Sequence, residues 1–130
     1  MNVDELMSHH REKHTQIMDG KMYIKVFTYS KNEKETKKII NELLKNELQY
    51  IKEIEYKQFE PYWKFDDMFE IGFEVQFNEA FTQKEFERFI GEISDKWTCL
   101  GDPVHSILAS DTTEGCNYIR KGIGLIKISF

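Results

Sequence analysis

Residues 54–79 read IEYKQFEPYWKFDDMFEIGFEVQFNE, and the fold follows from the way this stretch alternates and breaks. From Phe69 to Phe77 the alternation is complete. Phe69, Ile71, Phe73, Val75 and Phe77 take one side, and Glu70, Gly72, Glu74 and Gln76 take the other. Successive side chains of an extended backbone point to opposite faces, so a period of two predicts a strand with one face buried and one wet. Residues 50–60 read as its partner strand and Pro61 to Asp67 as the connection. Between Glu53 and Glu79 eight acids stand against Lys57 and Lys64, a net charge of −6, while the whole chain carries −5. The acidity is therefore local to one hairpin. The same stretch holds eight of the eighteen aromatic residues.

Upstream, KMYIKVFTYS (residues 21–30) is rich in β-branched and aromatic residues and apolar on both faces, which predicts a central strand. Ser30 and Glu33 have capping-box spacing and predict a helix over roughly 31–48 that buries Ile39, Ile40, Leu43, Leu44 and Leu48. Downstream, Thr82 and Glu85 repeat the capping box, with Phe81 and Phe86 at the staple positions. They open a helix whose stripe is Phe86, Phe89, Ile90, Ile93 and Trp97. Residues 104–110 read as a strand, and Ile126, Ile128 and Phe130 alternate in a last one. Residues 1–20 read as a helical arm ended by Asp19-Gly20.

The expected architecture is one α+β domain over residues 21–130, a ferredoxin-like βαββαβ two-layer sandwich. An antiparallel sheet would carry two helices on one face, with the N-terminal helical arm (1–20) before it and an extra C-terminal strand after it. The second face of the first strand, with Tyr23, Phe27 and Tyr29, would then need a cover, from the arm or from a second copy in a homodimer.

A chain of 130 residues, 40% hydrophobic and 32% charged, can form a single core without metal or disulfides. No apolar run spans a bilayer, and MNVDELMSHHREKH lacks the apolar core of a signal peptide, so a cytoplasmic protein is expected, with Cys99 and Cys116 as free thiols. Net negative charge disfavours nucleic acid as a partner and favours a basic one. Tyr50, Tyr56, Phe59 and Trp63 lack the basic residues that accompany base-stacking aromatics.

Other clusters carry less. His10 and His14 share one face of a helix, but three or four converging ligands make a metal site and only Glu12 or His9 is near enough to be a third. Cys116 would need His105 nearby to act as a nucleophile, with Thr112 or Thr113 at an oxyanion. Asp66 and Asp67 lack the spacing of a calcium loop. Gly122-Ile123-Gly124 lacks the third glycine of a phosphate cradle and fits a bulge or a close approach of backbone. Lysines at 31, 34, 37 and 38 alternate with Glu33 and Glu35, as on a solvated helix face. No catalytic residue, cofactor or metal is expected, and the chain reads as a non-enzymatic binding protein.

The candidate partner-binding residues are Glu60, Tyr62, Trp63, Phe65, Asp66, Asp67, Glu70 and Glu74. Acids mixed with Tyr62, Trp63 and Phe65 on a compact domain give this chain a general character similar to the immunity proteins of bacterial polymorphic toxin systems. The resemblance implies neutralisation of a cognate toxin domain, basic and nuclease-like, by occlusion. The alternative expectation is a regulatory ligand-binding or dimerisation domain of ferredoxin-like fold.

Overall fold

The computed structural model describes residues 21–130; the expected helical arm at 1–20, with His9, His10 and His14, lies outside the described residues. The elements run β1 (Lys21–Tyr29), α1 (Glu33–Leu44), a 3₁₀ stretch (Lys45–Tyr50), β2 (Ile51–Pro61), β3 (Met68–Phe77), α2 (Gln83–Ile93), β4 (Thr98–Leu100), β5 (Ser106–Ser110) and β6 (Ile123–Ser129). They build an α+β protein on one antiparallel sheet of order β2-β3-β1-β6-β5-β4. β1 is central as expected, with β3 on one side and β6 on the other. β2 is an edge, and its pairing with β3 shifts register at Ile51/Glu53 and again at Tyr56/Gln58.

Strand count and order differ from a plain ferredoxin-like sheet. The expected extra C-terminal strand is present, but it lies within the sheet. The last strand, β6, pairs directly with β1, and the additional strands β4 and β5 precede it in sequence and extend the sheet outward.

The alternation of β3 does what its spacing predicts: Phe69, Ile71, Phe73, Val75 and Phe77 are all buried. They join Met22, Ile24 and Val26 of β1 and Ile107, Ala109, Ile126 and Ile128 of β5 and β6 on one side of the sheet. The apolar stripes of α1 (Ile40, Leu43, Leu44) and α2 (Phe86, Phe89, Ile90, Ile93) close the same core. Each of these side chains larger than Ala109 stabilises the fold by about 1.5 to 3 kcal/mol on burial.

The helix ends differ in detail from expectation. Asn32, not Ser30, caps α1, accepting from the Glu35 backbone N–H at 2.8 Å, and the Glu35 carboxylate accepts from Lys31 N–H at 3.0 Å. Ser30 is instead buried in a hydroxyl chain, 2.7 Å from Thr28 and 2.6 Å from Thr36. The chain tightens to 3₁₀ after Leu44, which changes the phase of the surface, so Leu48 is 65% exposed and Glu47 is fully buried. α2 ends at Ile93, and Trp97 lies beyond it, folded back to donate its indole N–H to the Ile90 carbonyl at 3.0 Å.

Candidate functional site

The side of the sheet away from the helices carries Tyr23, Lys25, Phe27 and Tyr29 of β1 opposite Glu74, Gly72, Glu70 and Met68 of β3. Glu60 and Glu55 of β2 lie directly opposite Glu70 and Glu74. Like charges facing across strands repel, and the sheet relieves this with lysines. Lys25 pairs with Glu70 at 2.6 Å, Lys21 with Glu74 at 3.5 Å, and Lys57 bridges Glu55 at 2.9 Å and Glu74 at 3.9 Å. Glu70, only 9% exposed, and Glu74 are thus absorbed into the sheet's own ion pairs rather than offered as free charge. Glu60 remains exposed and accepts from the Gln58 side-chain amide at 2.7 Å.

Tyrosine rings lie where glycine leaves room. A Cβ at Gly72 would come within 2.1 Å of the Tyr23 hydroxyl, and one at Gly124 within 3.0 Å of the Tyr29 ring. Gly124 is also the extra residue where the β1–β6 register shifts, so the Gly122-Ile123-Gly124 run marks a bulge and a close approach, as its spacing predicts.

The remaining expected site residues gather at the tip of the β2–β3 hairpin. Tyr62 N–H bonds the Met68 carbonyl at 2.8 Å and closes the loop, and Ser30 N–H bonds the Asp67 carbonyl at 3.0 Å, tying the tip to the end of β1. The Tyr62 ring packs edge-on against Phe27, centroids 4.9 Å apart, and neighbours Trp63 and Phe65 at 6.0 and 5.9 Å. Trp63 is 84% exposed and Phe65 50%. Asp66 and Asp67 are exposed and form no ion pair among the described residues.

Between this tip and the β5–β6 end of the sheet lies a concavity of about 510 Å³ that sequence reasoning missed. Phe27, Tyr29, Tyr62 and Phe65 supply aromatic walls, and Asp67 and Asp111 stand at its margin. Tyr29 donates its hydroxyl to Asp111 Oδ2 at 2.5 Å. That bond, then burial and the charges of Asp111 and Asp67, push the Tyr29 phenol up to about 12 from its usual 10.0. The folded pKa is raised, so this group's stabilisation is complete below pH 10 and is lost as pH climbs through about 12. An NMR titration of ring-labelled tyrosine is therefore expected to show Tyr29 titrating late in the wild type and markedly earlier in Asp111→Asn. Equal titration in both proteins would remove Asp111 as the cause.

The other sequence candidates are not brought together. Cys116 Sγ lies 3.7 Å from Ser94 Oγ and from Asp95 Oδ1, while the His105 ring bonds Ser106 Oγ at 2.8 Å. Thr112 Oγ1 bonds Ser110 Oγ at 2.9 Å, and Thr113 N–H closes a turn onto the Ser110 carbonyl, so both serve the local loop. The Asp95 carboxylate accepts from the backbone N–H groups of Tyr118 and Asn117, which hold it below the usual carboxylate range and fix the β5–β6 connection against the end of α2. Among the described residues no three His, Cys, Asp or Glu side chains converge as metal ligands, and no helix is long and apolar enough to cross a membrane.

No family model matches this chain, and comparison with curated proteins and with solved structures finds no significant match.

Proposed function

We propose that the protein is a non-enzymatic binding module of the immunity type, which neutralises a basic protein partner by covering it with the tip of the β2–β3 hairpin. The observation that carries this reading is Trp63, 84% exposed beside a half-exposed Phe65, next to the carboxylates of Asp66 and Asp67, which form no ion pair among the described residues. Large rings exposed beside like charges are unfavourable for the isolated chain but suit an interface, where aromatic anchors are enriched and acids steer a basic partner. The ion pairs of Glu70 and Glu74 narrow the contact set to Glu60, Tyr62, Trp63, Phe65, Asp66 and Asp67. On this reading β2, β3, β1 and β6 form a ferredoxin-like core, and the β4–β5 pair is inserted before its last strand.

Trp63→Ala is expected to leave the unfolding free energy within about 0.5 kcal/mol of wild type, because the ring has little to lose on the folded surface. It should weaken the complex by about 2 kcal/mol or more. Asp66→Asn with Asp67→Asn should chiefly slow association at low salt. The partner is obtained by affinity capture from the source cells, then expressed alone and together with this protein. A basic protein whose toxicity is relieved on co-expression, but not by the Trp63→Ala variant, supports the proposal. A captured partner that is acidic, harmless or indifferent to Trp63→Ala would sink it.

A further inference from the structure

We propose that the concavity between the hairpin tip and the β5–β6 end of the sheet is a binding site for an organic cation, an alkylated ammonium or guanidinium group. The inference goes beyond the hairpin's role as a protein-binding tip, because Trp63, the anchor assigned there, does not line the concavity.

Four aromatic rings line it, and ring faces attract a cation through the negative lobe of their quadrupole. Leu125 and the Gly124 backbone floor it, and a glycine there lets the Tyr29 ring lie flat against the sheet, since a Cβ would come within 3.0 Å of that ring. The two titratable groups that line it apart from tyrosine are carboxylates, Asp67 and Asp111, and both raise the acidity threshold of the same phenol. Asp111 is held in place by the Tyr29 hydroxyl, so its second oxygen is oriented without the cost of ordering a free side chain.

Two lysines stand near the rim. Lys25 Nζ lies 5.7 Å from the Phe27 ring centroid but is neutralised by Glu70 at 2.6 Å. Lys64 Nζ lies 5.9 Å from the Phe65 centroid and so already uses one of the rings in the manner proposed for the ligand. Among the described residues no lysine, arginine or histidine lines the space itself, so the charge they give it is negative and its walls are largely apolar. A volume of about 510 Å³ is in the range of small-molecule sites and exceeds what one side chain of this protein could fill. An anion would meet two carboxylates at close range, and a metal ion would meet rings in place of the oxygens it needs.

The test uses the full chain, isotopically labelled, titrated with choline, with butylguanidinium and with 3,3-dimethylbutan-1-ol, the uncharged isostere of choline. Millimolar binding of either cation, with shifts confined to Tyr29, Tyr62, Phe65 and Gly124, is expected. The neutral alcohol should bind at least about tenfold more weakly, since only the cation gains from the rings and the carboxylates. Asp67→Asn with Asp111→Asn retains the shape and the Tyr29 hydrogen-bond acceptor, and should reduce the preference for choline over the alcohol severalfold, leaving the part that the rings supply. Equal binding of alcohol and choline would overturn the site, and so would a preference left undiminished by the double substitution. Absence of shifts with both cations would do the same. Capped Gly-Arg-Gly and Gly-Lys-Gly peptides then separate the sources. Peptide binding as tight as that of the free cations identifies a partner's side chain as occupant, and peptide binding about tenfold weaker identifies a free amine.

Discussion

Phe81→Ala is expected to lower the unfolding free energy by about 4 kcal/mol, the middle of the range for a buried phenylalanine. The ring is fully buried at the place where the end of β3, the start of α2 and the 3₁₀ stretch meet. It stacks on Phe77 with centroids 3.8 Å apart and planes 11° apart. The edges of Phe86 and Phe89 approach it at 6.4 and 6.3 Å, and Tyr50 lies tilted at 5.7 Å. These neighbours belong to three elements fixed by their own backbone bonds, so the hole left by the ring cannot close without moving one of them. Urea denaturation checks this through a fall in the midpoint at constant slope. A loss under about 1 kcal/mol would mean that the site relaxes and that the aromatic cluster is not the keystone of the core.

Arg88→Met is expected to cost about 3 kcal/mol, toward the low end for breaking a buried pair because Arg88 itself keeps partial access to water. Arg88 on α2 donates to Glu47 of the 3₁₀ stretch, to Glu85 at 2.9 Å and to Glu92 at 2.9 Å. Burial works against its charge, but the three carboxylates outweigh this and hold it protonated. Without Arg88 the Glu47 carboxylate would be left fully buried, and its Oε2 already has no partner among the described residues.

Burial raises the Glu47 pKa above its usual value, against the opposing pull of Arg88. A raised acid stabilises the fold in its neutral form, so this contribution is complete in acid and is lost as pH rises through the folded pKa. The variant removes the opposing pull, so its deficit should be small near about pH 4 and larger near about pH 7. Thermal or urea unfolding at the two pH values tests the sign. Adding Glu47→Gln to Arg88→Met should recover most of the loss at neutral pH, because the uncompensated charge is gone. A double variant no more stable than Arg88→Met alone would assign the cost to lost packing of the arginine stem instead.

What could be read from the sequence was what is local. The period of two in β3, the apolar stripe of α2 and the caps near Asn32 and Thr82 act within a few residues, and periodicity reports them directly. The Ser30/Asn32 misassignment arises because both residues can cap, and the choice is made by Thr36, which takes the Ser30 hydroxyl into the core. The burial of Glu47 was not legible because its partner Arg88 lies 41 residues away. β4, three residues long, offers too little alternation to register. Strand neighbours are likewise non-local: nothing within GIGLIKISF tells that β6 pairs with β1 rather than adding to the margin. The hairpin tip was legible as a candidate because its residues are contiguous. The concavity was not, because it is assembled from β1, the hairpin tip, the end of β5 and the start of β6. Gly124 was the one local trace of it.

The two margins of the sheet limit how this molecule can join a second one. An open margin is a template for another chain to extend the sheet, and proteins guard against this with bulges, charges, proline and short terminal strands. β2 has all but the last: two register shifts, the exposed charges of Glu53, Glu55 and Lys57, and Pro61 at its end. β4, at the far margin, is protected by brevity. The hairpin's acids therefore keep other strands away, a role separate from the steering proposed for them. Strand addition is disfavoured at both ends of the described sheet, which leaves the broad surface opposite the helices and the hairpin tip for a partner of the kind proposed.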